Sequence, residues 1–140
     1  MKKSKLRRMK FENWLLGKLN KILYKIYLRG GRKMKIISAD RGQGKTTKLV
    51  EMSSKEWKYI VCKDTQRVDV IIKTAERLGL DIPYPITIRE LPVSPFSHIE
   101  SVLIDDIEDV IPYVIGSRVD YVTTSCEIER LKMRRSDKHE

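Results

Sequence analysis

At 140 residues, 41% hydrophobic and 34% charged, the chain has the makings of one globular domain and too little length for two. Its cysteines, Cys62 and Cys126, and its histidines, His98 and His139, are widely separated. This excludes a disulfide framework, zinc-ligand spacing and a histidine dyad, and points to buried thiols in a reducing cytoplasm. The net charge of +10 is placed unevenly, because residues 1–33 carry 12 Lys or Arg and a single acid, Glu12, for +11. Residues 34–140 carry 17 basic and 18 acidic side chains, and their tail, 130–140, has five basic and two acidic, which leaves 34–129 at −4. A mildly acidic core thus carries basic ends, and a partner drawn by positive charge would meet the ends.

In chain order, Phe11, Leu15, Leu19, Ile22 and Ile26 recur at steps of three and four, with Lys18, Lys21 and Lys25 on another side. The spacing predicts a basic amphipathic helix closed by Gly30 and Gly31, an arm of residues 1–33. Lysines interrupt its apolar run, so it has neither the form of a membrane span nor that of a secretory leader. From Met34 the pattern alternates between strand and helix. Strands are expected at 35–38, 58–62, 86–88, 101–106 and 119–125, and helices at 45–55, 65–79 (stopped by Gly79) and 108–115, with a Pro-rich loop at 91–98. Short apolar runs alternating with helices predict an α/β core over 34–129. Its sheet would be mostly parallel, of about five strands, and covered on both faces, a three-layer arrangement followed by the basic tail 130–140.

The stretch KIISADRGQGKTTKLV, residues 35–50, runs from an apolar strand through Ala39, Asp40, Arg41, Gly42, Gln43 and Gly44 into a helix opened by Lys45, Thr46 and Thr47. Such a loop turns successive backbone N–H groups inward, where they hold phosphate oxygens, and the helix aims its positive end at the same anion. Lys45 would reach the outer phosphates and the Thr46 hydroxyl would ligate Mg²⁺. The plain alternative is an ordinary Gly-rich strand–helix turn. A second stretch, VLIDDIEDV over 102–110, ends an apolar strand on Asp105 and Asp106, followed by Glu108 and Asp109. Carboxylates at a buried strand tip are costly unless a cation sits beside them. The plain alternative here is a solvated acidic turn that caps the next helix.

The first stretch resembles the Walker A motif of P-loop NTPases, with Ala39 in place of the first glycine, and the second resembles Walker B. More narrowly, Asp105, Asp106 and Glu108 are similar to motif II of superfamily 1 helicases, with Asp106 for its glutamate and Glu108 for its glutamine. VCKDTQR at 61–67 falls where those helicases carry a Thr-containing motif that contacts single-stranded DNA. ITIREL at 86–91 falls where they carry a short strand, and VTTS at 122–125 where additional-strand, RecA-like P-loop ATPases place a polar sensor. The resemblance covers roughly residues 35–125 and extends to small phage-encoded P-loop proteins.

The resemblance implies ATP held by residues 39–47 and Thr124, Mg²⁺ held by Thr46 and Asp105, and catalysis by Lys45 with Asp106 or Glu108 orienting the water. Asp106 is one methylene short of the usual glutamate, and a carboxylate drawn back by about 1 Å can cost orders of magnitude in rate. The stretch 35–125 amounts to one RecA-like domain, so an arginine finger, worth about 10³–10⁵ in rate, is expected from outside it. Arg118, Arg130, Arg134 or Arg135 could serve a neighbour in a homo-oligomer, or a partner protein could supply one. The implied function is a slow ATPase acting with nucleic acid through residues 1–33. The alternative is a switch or adaptor that hydrolyses little and docks a partner protein or an anionic membrane through its helix. A small-molecule kinase and a guanine-specific protein are disfavoured, the latter because no Asn-Lys-x-Asp motif occurs. Trp14 and Trp57 are isolated, so little points to base stacking.

Overall fold

The computed structural model describes residues 2–28, 34–94 and 96–132. The chain divides into two compact units, Met1–Lys33 and Met34–Glu140. The first unit is one helix, α1 (Lys2–Leu28). Arg8 pairs with Glu12 one turn on, at 3.2 Å, and Phe11 stacks on Trp14 with 5.9 Å between ring centroids. The Lys18 ammonium lies 4.3 Å from the Trp14 ring centroid, a cation–π contact that keeps its charge in water. Phe11, Leu15, Leu19 and Ile22 form the expected stripe and are exposed, as are Met9 and Leu16. Leu16 is displaced by about 100° from Leu15, so apolar surface extends beyond the stripe. Gly30 and Gly31, the expected stop, lie outside the described residues, as do Arg134, Arg135 and His139.

The second unit is mixed α/β. Strand β1 (Lys35–Ser38) leads through a loop to α2 (Lys45–Glu56), β2 (Ile60–Cys62) and α3 (Thr65–Leu78). There follow β3 (Ile86–Thr87), a 3₁₀ turn (Ile88–Glu90), β4 (Leu103–Ile104), α4 (Ile107–Ile115) and β5 (Glu127–Arg130). Among the described residues every strand pairing is parallel, as expected from the alternating pattern. The expected single sheet is replaced among the described residues by two. β1 pairs with β5, and β2 lies between β3 and β4.

The strands expected at 58–62 and 101–106 are shorter, as β2 and β4, and two other strand expectations change. Residues 119–125 form no strand, with Tyr121 94% and Val122 70% exposed, and the last strand forms later, at β5. Strand propensity describes a residue that fits a pleated, half-buried surface, so it cannot choose between segments without a partner. β5 finds that partner in β1, in a register that sets Lys35 against Glu127 with their charged groups 3.4 Å apart. Arg130, expected in the tail, ends this strand. Ile88, expected in β3, leaves the ladder for the 3₁₀ turn, where the Thr87 N–H donates to the Glu90 carboxylate at 2.7 Å.

The core is built on β2, whose three residues are all buried. Successive strand side chains point to opposite faces. Ile60 and Cys62 pack with Val50 of α2 and with Val68, Ile71 and Ala75 of α3. Val61 points the other way, to Ile88 and Val110 of α4. Helices thus cover both faces of the three-stranded sheet. The α3 boundaries follow local chemistry. The Asp64 carboxylate accepts the Arg67 N–H at 2.9 Å as N-cap, and Gly79, at φ 66°, ends the helix in the left-handed conformation. Of the two thiols expected to be buried, Cys62 is, and Cys126 is only half-buried. Among the described residues no helix is long and apolar enough to cross a membrane.

Candidate functional site

Three chain segments, each following a parallel strand, bring charged side chains to one place. After β1, the chain turns through a bond from the Gln43 N–H to the Asp40 carbonyl (3.2 Å) and enters α2 at Lys45. Gly42 and Gly44 have φ of 76° and 85°, where a side chain is strained, while a Cβ at either would meet nothing within 4 Å. The loop therefore needs its glycines for their backbone conformation. Gly44 caps α2 without a side-chain acceptor, which leaves the first N–H groups of the helix available to an anion.

After β2, the Asp64 cap sets Arg67 on the first turn of α3. After β4, whose end is tied to β2 by the Asp105 N–H donating to the Val61 carbonyl at 2.9 Å, come Asp105 and Asp106. Asp106 has φ 55° and ψ 81°, a left-handed conformation uncommon outside glycine and asparagine, and occupies the N-cap position of α4 with no side-chain capping bond. Its carboxylate points instead at Lys45, with Oδ1 3.4 Å from Nζ.

Arg67 is the hub. Its Nε donates to Asp105 Oδ2 at 2.6 Å and its Nη2 to Thr46 Oγ1 at 2.6 Å, with Asp106 Oδ2 4.0 Å from Nη2. The Asp105 side chain is only 2% exposed and that of Arg67 32%, so one partner is deeply buried and the other reaches water. The hydrogen bond to Asp105 is the chief cause that raises the guanidinium's pKa above its ordinary value, with the charges of Asp105 and Asp106 adding to it. Behind the site, burial, with the Asp105 charge next in weight, pushes the Cys62 thiol up to about 11.

The structure thus joins Lys45, Thr46, Asp105 and Asp106, as the sequence motifs lead one to expect, and adds Arg67. A signal for Arg67 lies in the sequence. α3 has no acidic residue in its first turn, yet places a cation there, against the helix dipole. The dipole disfavours a cation there by about 0.3–1 kcal/mol, which Asp105 offsets. Three expected participants lie apart from this network. Glu108 is exposed on the first turn of α4. The Thr124 hydroxyl accepts the Cys126 N–H at 2.9 Å within its own segment. Asp40 is exposed and 3.7 Å from Arg130. Arg118 is engaged with Asp120 at 2.8 Å and is exposed.

Chemically, the arrangement sets a helix N-terminus and a lysine beside two carboxylates and a hydroxyl at the C-terminal ends of parallel strands, where open α/β sheets bind ligands. Among the described residues no group of three or more His, Cys, Asp or Glu could hold a metal ion. The oxygens of Thr46 and Asp105 nevertheless converge on one cationic group, and hard oxygen donors of this kind suit Mg²⁺, which commonly binds through one or two carboxylates and completes its shell with phosphates and water. The class defined by fold and site is thus an α/β domain with a charged cluster on its strand-following loops. Comparison with protein-family models, with curated proteins and with solved structures gives no match.

Proposed function

We propose that the unit Met34–Glu140 is a three-layer P-loop domain that binds ATP with Mg²⁺, and that the chain is a slow ATPase acting in the cytoplasm with nucleic acid or with a replication or recombination partner. The observation that carries this reading is the placement of Lys45 and Thr46 at the end of a loop with two positive-φ glycines, Lys45 against Asp106 and Thr46 joined to Asp105 through the Arg67 guanidinium. The backbone of residues 39–44 and the α2 N-terminus would cradle the phosphates, and Lys45 would neutralise their outer charge. Thr46 and Asp105 would hold Mg²⁺, which offsets charge on the phosphoryl oxygens when bound. The +11 charge of residues 1–33 supports contact with a polyanion.

A specific observation also supports the second reading, a nucleotide-dependent switch with little turnover. Asp106, the carboxylate best placed to orient water, is already committed to Lys45, and Glu108 lies exposed beyond it. In that case α1 would dock a partner protein or an anionic membrane.

The test is ATP binding and turnover with Mg²⁺, with and without single-stranded DNA, for the chain and for Lys45→Ala. The first reading expects Lys45→Ala to lose ATP affinity by about tenfold or more while retaining its circular dichroism, and DNA to raise turnover. Tight, Lys45-dependent binding with negligible turnover favours the switch. Unchanged ATP affinity in folded Lys45→Ala refutes both.

A further inference from the structure

We propose that Arg67 is a built-in competitor of the divalent cation, holding the two oxygens that would bind it and yielding them only when nucleotide phosphates draw the guanidinium away. The proposal rests on the nucleotide-binding reading and concerns what controls metal entry to that site.

Thr46 Oγ1 and Asp105 Oδ2 lie on different segments, 59 positions apart in sequence, and each receives a hydrogen bond of 2.6 Å from the same planar group. A guanidinium presents a rigid fork of donors, so the two oxygens are held at a separation that suits the fork. Mg²⁺ requires oxygens at about 2.0–2.1 Å, and the oxygen lone pairs that face Arg67 are not free to make those bonds. Charge adds to this obstruction. Lys45 and Arg67 balance Asp105 and Asp106, so a dication arriving without nucleotide meets no net negative charge and a guanidinium in its path.

A triphosphate reverses the balance by offering several negative charges beside both cations. The guanidinium is suited to move. Its side chain is about one-third exposed, while the backbone below it is anchored by the Asp64 cap, so it can turn toward a phosphate without unwinding α3. Asp105, 2% exposed, cannot be left without a cation, which makes the exchange of guanidinium for metal a coupled one. Arg67 is therefore a positioning and selectivity residue. It makes metal binding depend on nucleotide, and its displaced guanidinium becomes available to a phosphate without a second domain.

The experiment is Mn²⁺ binding to the full chain, followed by the electron paramagnetic resonance signal of free Mn²⁺, with and without ATP. Without ATP, Arg67→Gln should bind Mn²⁺ at least roughly tenfold more tightly than the unaltered chain, as expected when a unit charge a few Å from the metal is removed. Arg67→Lys, which keeps the charge but loses the fork, should fall between them. Adding Asp105→Asn to Arg67→Gln should erase the gain. Should Arg67→Gln fail to fold, Arg67→Lys carries the test alone, and an affinity no tighter than that of the unaltered chain overturns the proposal. Equal Mn²⁺ affinity in folded Arg67→Gln overturns it as well, whether or not ATP binds in a Lys45-dependent way. A gain in Mn²⁺ affinity without any ATP binding upholds the competition for the two oxygens and defeats the nucleotide reading instead.

Discussion

The ion pair between Arg67 and Asp105 should be energetically lopsided, and stability measurements on its two halves test the architecture of the site apart from any ligand. Arg67→Ala leaves Asp105 as a carboxylate with 2% of its side chain in water and its closest cation gone. Removing one partner of a buried pair costs about 3–5 kcal/mol. Lys45, already near Asp106, can lend some compensation, so the low end, about 3 kcal/mol, is expected. Asp105→Asn keeps the volume and leaves a guanidinium that is 32% exposed, still bonded to Thr46 and 4.0 Å from Asp106. Water can solvate that charge, and the loss should be about 1 kcal/mol. With a urea m-value of about 1.5 kcal/mol/M, the midpoints followed by far-UV circular dichroism should fall by about 2 M and about 0.7 M. Both losses lie within the usual stability of a small domain, so both variants should fold. The double variant should lose less than the sum, since Arg67→Ala no longer strands a charge once Asp105 is amide. Equal losses for the two single variants, or a larger one for Asp105→Asn, would refute the reasoning that the burial of Asp105 governs the pair.

Gly44→Ala should lower stability by about 1 kcal/mol, or about 5 °C in the thermal midpoint, through its φ of 85° and not through a clash; an unchanged midpoint in a calorimetric scan would contradict this. Cys62, with its thiol pushed up to about 11, should react with iodoacetamide at pH 8 about a hundredfold more slowly than an ordinary cysteine, and mass spectrometry should find half-buried Cys126 alkylated first. The same shift has a sign in stability: keeping the thiol neutral contributes fully below pH 9.0 and is lost as pH rises toward about 11, so urea midpoints should fall over that range and fall less in Cys62→Ala. Removing residues 1–33 should leave ATP binding intact and abolish binding to nucleic acid or to anionic liposomes; retention of either by the shortened chain in a sedimentation assay would place that contact elsewhere.

Much of the site was legible because its parts are local. Lys45 and Thr46 are recognisable from the glycines just before them, and Asp105 and Asp106 from the apolar run they terminate. Each is a statement about a few consecutive residues. Arg67 is the instructive exception. It closes the stretch 61–67, whose likeness to helicases rests on a threonine, and its partners are 21 and 38 positions away. Thr124 and Glu108 show the opposite case. Both have suitable chemistry at a suitable place in the order of elements, and the structure turns them to other surroundings.

By itself, the sequence determined the division at Met34, the alternation of strands with helices, the parallel pairing that follows from it, and the boundaries of α2 and α3. These follow from periodicity, caps and glycines, which act over one or two turns of chain. Only the tertiary structure decided that β5 and not 119–125 pairs with β1, that the strands among the described residues form two sheets, and that a guanidinium lies between Thr46 and Asp105. A strand becomes a strand when another backbone satisfies its hydrogen bonds, and a buried carboxylate is tolerated when a cation arrives from a distant segment. Both conditions concern neighbours in space, which the order of residues along the chain does not specify.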